Sequence, residues 1–309
     1  MSIELIFTWI CLGALALLAI GLLLYARSTR SRDRVFLQFW QKAGLPVQSD
    51  DIARAIRTRL RARTTAATVG ALLGVLVSAA VLLIRPSLAS PAFIWLVVVP
   101  ATLISIPALG VVSTLRESLF RPPADAPRLA RPTIVTLSDY VSPWRLRAAP
   151  LLVLLAFALT IAGVLLGLTA TVDLGVFLGS PALPVLALAS AVLLAGSAAS
   201  RRVLTHTQPA TTELELAWDD AFRAETLRSL LLFQTIIAWL AVGSATLGIL
   251  NGWDALRETT WSVGLGPQIF NWGFLAILLW FSIGSATGRF RRRLWPDLTA
   301  SPTGPAAAG

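Results

Sequence analysis

Cysteine and histidine occur once each in the 309 residues, as Cys11 and His206, and lysine once, as Lys42. With one thiol and one imidazole, a single chain can build neither an internal disulfide nor a His/Cys metal cage. Charge is also scarce: Asp, Glu, Lys and Arg make up 14% of the chain, against about 25% in ordinary soluble domains. Within the long apolar runs, away from their ends, there is none. An ionisable group at the bilayer centre costs about 2.5–3.5 kcal/mol on insertion scales and is retained for a task. Its absence argues against an intramembrane proton relay and against diphosphate chemistry run by aspartate-rich helix ends, and leaves open passage of a neutral or lipidic molecule. Also missing are a Gly-rich phosphate loop, a nucleophile elbow and a metal-ligand cluster. No catalytic residue, cofactor or metal is therefore expected, and His206, alone in a polar linker, reads as a surface residue.

Apolar length is what the chain has in abundance. Hydrophobic residues make up 56% and the mean hydropathy is +0.73. Seven segments are long enough to cross a hydrocarbon core of about 30 Å, which takes about 20 helical residues. They run over 3–25, 65–84, 91–115, 150–168, 181–200, 230–250 and 269–288. The pattern predicts an all-α polytopic membrane helix bundle in one transmembrane domain over 1–295, followed by a disordered Pro/Ala/Gly-rich tail over 296–309.

Charge placement predicts the orientation. Basic residues are retained on the cytoplasmic side of bacterial spans. The first span is followed by Arg27, Arg30, Arg32 and Arg34 and preceded by Glu4, the arrangement of a reverse signal anchor with its N-terminus outside. With seven spans, 24 of the 26 basic residues and 12 of the 16 acidic ones then fall inside, leaving Arg85 and Arg257 as the outer basic residues. The C-terminus is cytoplasmic on this reading. Trp95, Trp253, Trp261 and Trp272 fall near outer span ends and Trp295 just beyond the last span, as indole rings favour interfaces, while Trp239 and Trp280 lie mid-span. The near-exclusive use of arginine fits a GC-rich bacterial genome and hence a bacterial plasma (inner) membrane.

After the first span the chain reads as three hairpins, each preceded by a cytoplasmic stretch. Asp50-Asp51-Ile52-Ala53-Arg54-Ala55 and Asp219-Asp220-Ala221-Phe222-Arg223-Ala224 share the pattern D-D-x-x-R-A, and Asp139-Tyr140-Val141-Ser142-Pro143-Trp144-Arg145 is an echo of it. Leu214, Trp218, Ala221 and Phe222 share one helical face, as do Ile52, Ile56 and Leu60, so these stretches are expected as amphipathic helices at the inner membrane surface. Paired aspartates suit a helix N-terminus better than a metal site, because adjacent side chains diverge. The basic helices would meet anionic lipid headgroups or a protein partner; a nucleic-acid partner is not expected, since no separate basic domain or recognition motif exists. The candidate interaction residues are Asp50, Asp51, Arg54, Asp139, Tyr140, Trp218, Asp219, Asp220 and Arg223.

Within the spans, Gln234 and Asn271 need polar partners and, lying near span ends, are expected to bond across helices or reach the interface, with ligand binding as the sharper alternative. Pro100 and Pro107 lie on nearly one face of the third span, where each removes a backbone hydrogen bond; a kink there would be a static bend or would line a pore. Gly163-xxx-Gly167 and Gly284-xxx-Gly288 would permit close helix approach.

The Asp139–Pro143 segment between arginine-rich flanks, and Trp218–Ala224 ahead of a span, resemble segments of multi-pass membrane proteins of unknown function from actinobacteria. The resemblance covers those two loops and the general layout; it implies a source and transfers no catalytic residue. The expected function is a membrane-embedded subunit or scaffold without a catalytic site. The competing expectation is a transporter or permease component for a neutral or hydrophobic solute. An enzyme would need Asp50, Asp51, Asp139, Asp219 and Asp220 to converge.

Overall fold

The computed structural model describes residues 3–88, 97–116, 135–205, 210, 212–259, 266–283, 286–296 and 298. Among these, every regular element is helical. His206, Trp95, Trp261, the side chains of Pro100 and Asn271, and the tail beyond 298 lie outside the described residues.

Local chemistry sets the first boundaries. Helix α1 (Ile3–Arg27) gives way at Ser28, whose hydroxyl accepts the Ser31 N–H at 3.2 Å and caps α2 (Thr29–Ala43). Gly44 ends α2 in the left-handed conformation, φ +61°, returning its N–H to Trp40 O at 2.9 Å. Ser49 caps α3 (Asp50–Ile84), with Asp50 and Asp51 in its first turn, where carboxylates complement the backbone dipole. A 3₁₀ turn over Pro86–Leu88 follows.

The remaining helices are α4 (Val99–Arg116), α5 (Leu137–Tyr140), α6 (Pro143–Leu168), α7 (Leu174–Gly179), α8 (Ala182–Thr205), α9 (Glu213–Arg257), α10 (Gly266–Ser282) and α11 (Ala286–Leu294). Among the described residues five helices, α1, α3, α6, α8 and α9, are long and apolar enough to cross a bilayer. The regions read as the third and seventh spans contain shorter apolar helices over Ala101–Gly110 and Trp272–Ser282.

One expectation is corrected. The amphipathic stretches ahead of the second and sixth spans are not separate surface helices: α3 and α9 run unbroken through both the polar and the apolar segment. No Pro or Gly stands between 50 and 69 or between 213 and 242, so nothing interrupts the hydrogen-bond ladder. At about 1.5 Å per residue, the 45 residues of α9 extend for about 67 Å, more than twice a hydrocarbon core.

The chain groups into two compact units: Met1–Ser142, Ser200–Ser229 and Ser285–Gly309 form the first, Pro143–Ala199 and Leu230–Gly284 the second. In the first, α3 meets α4 backbone to backbone. A methyl at Gly70 would lie 2.7 Å from the Ile106 Cα, and one at Gly74 would overlap the Thr102 backbone. This pair, at the small-xxx-small spacing, is where two apolar helices touch most closely. Helix α1 adds Leu12 to a cluster with Val75, Leu82 and Val98. The rest of α1 is largely bare, with Ile3, Ile10, Leu17 and Leu24 each more than 60% exposed, an apolar surface suited to lipid. Pro107 lies inside α4 and is buried, while Pro100 stands in the first turn of that helix.

In the second unit, Gly163 and Gly167 make room for Phe177 and Leu174 of α7 rather than for a second span. Asp173 caps α7 and donates its own N–H to Gly252 O at 2.9 Å. Arg145 donates to the carbonyls of Trp280 (2.8 Å) and Ile283, supplying donors to the orphan end of α10, and lies 5.3 Å from the Phe281 ring centroid. Trp239 donates to Phe270 O at 3.1 Å. Hydroxyls in apolar helices fold back on their own ladders, as Thr160 does to Ala156 O and Thr235 to Leu231 O, both near 2.8 Å.

Candidate functional site

No residue of α9 from Leu214 to Leu250 is exposed. Its polar first half carries Ala, Leu, Trp and Phe at Leu214, Ala217, Trp218, Ala221 and Phe222, and other segments of the first unit cover the remaining faces. The second D-D-x-x-R-A copy therefore sits inside a folded polar module, about two turns from the helix start at Glu213 rather than at its N-terminus.

Asp220 is the centre of that module. It is fully buried, with Tyr140 Oη donating to Oδ1 and Trp295 Nε1 to Oδ2, each at 2.8 Å. Buried carboxylates demand such donors. Tyr140 ends the short helix α5, and Trp295 follows α11, so one side chain ties its own helix to two segments, 75 and 80 positions from it in sequence. Trp218 is also fully buried; its indole donates to Pro46 O at 3.2 Å, and Phe39 of α2 packs against both Trp218 (6.0 Å between centroids) and Phe222 (4.6 Å). Arg223 donates to Leu204 O at 3.1 Å, serving a carbonyl at the end of α8, and pairs with Asp219 at 3.4 Å.

Asp139 holds the rim. Its Oδ2 accepts from Thr136 N and Thr136 Oγ1, both at 2.8 Å, and its Oδ1 from Arg293 at 3.3 Å. Burial pushes this carboxyl up, but the Thr136 hydrogen bonds and the Arg293 guanidinium outweigh it and hold it below the usual carboxylate range. Helix α11 is clasped at alternate positions: Arg289 Nε donates to Ser138 O at 2.9 Å, Arg291 Nη1 to Gly44 O at 3.0 Å, and Phe290 between them is fully buried. Gly44 suits its positive φ, and a Cβ there would displace the Arg291 guanidinium. A further ionic node joins α3 and α9, where Arg63 donates to Ser229 Oγ at 3.2 Å and lies 3.8 Å from the Glu225 carboxylate.

Of the residues singled out from sequence, Asp139, Tyr140, Trp218, Asp219, Asp220 and Arg223 come together in this module. Asp50, Asp51 and Arg54 do not: Asp51 pairs locally with Arg54 at 3.3 Å, with side chains 87% and 76% exposed. The same motif behaves differently because one copy opens a helix in solvent and the other lies within a covered one. Among the described residues, no three His, Cys, Asp or Glu side chains are grouped to hold a metal ion. Trp295 reads from sequence only as an interfacial indole, and Arg289, Arg291 and Arg293 only as inner-side charge; Phe39 carries no signal there.

Gln234 departs from expectation. It is 4% exposed, and its Nε2 has no acceptor among the described residues. The amide lies against Gly196 of α8, where a Cβ would overlap it. The missing side chain gives it room but no hydrogen-bond partner.

Comparison with known protein families, curated proteins and solved structures finds no match to the chain.

Proposed function

We propose that this chain is a seven-span protein of the bacterial inner membrane, N-terminus outside and C-terminus inside. Its cytoplasmic module serves as a non-catalytic scaffold, the membrane-embedded subunit of a larger assembly. The observation that carries the reading is convergence on Trp218, Asp220 and Arg223. Charge counting assigns four separate basic stretches to one side, and each contributes to the module: Pro46 from the first, Tyr140 from the second, Leu204 and Asp220 from the third, Trp295 from the fourth. Tyr140 and Trp295, which donate to the central carboxylate, join it to segments distant in sequence, which is the chemistry of a structural core. Arg54, Arg61, Arg201, Arg202 and Arg292 of the same unit remain exposed, available to anionic headgroups or an acidic partner surface. Isolation of the intact protein from its native membranes tests this: a second polypeptide in fixed ratio is expected. Recovery of a lone species with turnover of its own would overturn it.

Transport of a neutral or hydrophobic solute is the second reading, favoured by the buried Gln234 amide without an acceptor. Solute flux in proteoliposomes that disappears with Gln234→Leu would select it over the scaffold.

A further inference from the structure

Helix α11 has two surfaces it is built to meet. Here it lies in a seat lined with acceptors, the carbonyls of Gly44 and Ser138 and the carboxylates of Asp139 and Asp220, which take Arg291, Arg289, Arg293 and Trp295 respectively. The same nine residues, Ala286–Leu294, hold four arginines, and Phe290, Leu294 and Trp295 add apolar bulk. That composition is suited to an anionic lipid surface, where each arginine adds attraction and an indole anchors at the headgroup layer. The seat is only partly closed: the Arg293 side chain is 50% exposed in its pair with Asp139, so that contact is weakened by solvent. Arg292 is exposed and donates to Gly288 O within its own helix at 3.0 Å, so it faces away from the seat.

We propose that α11 is a releasable strap, docked on the Asp139/Asp220 seat or transferred to the anionic inner leaflet, so that lipid charge opens the module. This rests on the cytoplasmic placement proposed above. Release would uncover Asp139, Asp220 and the Gly44 and Ser138 carbonyls together.

The test uses the full chain in lipid nanodiscs, with a spin label attached through Pro296→Cys in a Cys11→Ser background. In discs of phosphatidylcholine alone the label is expected to report the docked strap; in discs rich in phosphatidylglycerol, a second population with lipid contact. Trp295→Phe keeps an aromatic ring for either surface but removes the N–H that Asp220 accepts. It should raise the released-to-docked ratio about tenfold, the effect of one lost hydrogen bond to a carboxylate. Arg292→Gln leaves every seat contact in place and should lower that ratio about fivefold in phosphatidylglycerol, the share of one arginine in membrane attraction. A label spectrum indifferent to lipid charge and to both variants would overturn the strap. Label modification in intact cells by a membrane-impermeant reagent would instead overturn the cytoplasmic placement, so the two failures are distinct.

Discussion

The chain has two tyrosines, Tyr25 and Tyr140, and replacing each with phenylalanine removes one oxygen from opposite settings. Tyr140 is fully buried and donates to the fully buried Asp220 at 2.8 Å. Tyr140→Phe deletes that donor and leaves a carboxylate oxygen deprived of it in a site closed to water. Hydrogen bonds to charged groups contribute about 1.5–3 kcal/mol, and more is lost when the remaining partner stays desolvated. For a domain of 150–250 residues, each kcal/mol moves the midpoint by about 2–4 °C, so a fall of about 3–12 °C is expected. Tyr25 is 44% exposed and accepts from Arg34 at 3.3 Å on the surface. Tyr25→Phe should stay within about 0.5 kcal/mol of the parent. Thermal unfolding of the three proteins in one detergent, followed by tryptophan fluorescence, makes the comparison. Equal midpoints for the two variants would refute the claim that Asp220 organises the module.

Three other outcomes follow from particular contacts. The Asp139 carboxyl lies below its ordinary range when folded, so its contribution is present above the unfolded value of about 3.9 and is lost as pH falls through the folded value. Asp139→Asn should therefore flatten the acid limb of a stability-against-pH curve, and an unchanged limb would count against the Thr136 and Arg293 contacts. Gly74→Leu forces a side chain into the Thr102 backbone and should cost about 1–3 kcal/mol by overpacking; a neutral result in denaturation would show that α3 and α4 are not in close contact. Gln234→Leu removes a buried donor that has no acceptor and should stabilise by about 1 kcal/mol. A clear loss of stability would reveal a partner for the amide.

Periodicity and charge made much of the helical layout legible. Ser28, Gly44 and Ser49 punctuate the chain where their side chains or lack of one demand it, and Ile56, Leu60, Leu214 and Trp218 are buried as their spacing predicts. The continuity of α3 and α9 is visible in retrospect as the absence of any breaker at the polar-to-apolar junction. The Asp220 site was legible only in part. The D-D-x-x-R-A copies look alike, yet burial separates them, and burial depends on what the rest of the chain brings. Trp295 lies 75 residues from Asp220, and no local pattern links the two. Gly70 and Gly74 carry the spacing of a helix contact, but so do Gly163 and Gly167, which receive a short helix instead. Spacing permits an approach without naming the neighbour.

The convergence of four basic stretches on Trp218, Asp220 and Arg223 requires that all four occupy the same side of the membrane. Arg54, Arg147, Arg202 and Arg292 are exposed, one in each stretch. Each can be replaced singly by cysteine in a Cys11→Ser background and probed with a membrane-impermeant maleimide in intact cells and in inverted vesicles. Modification of all four only in the inverted vesicles is the predicted result. Modification of any one of them in intact cells would contradict the shared module.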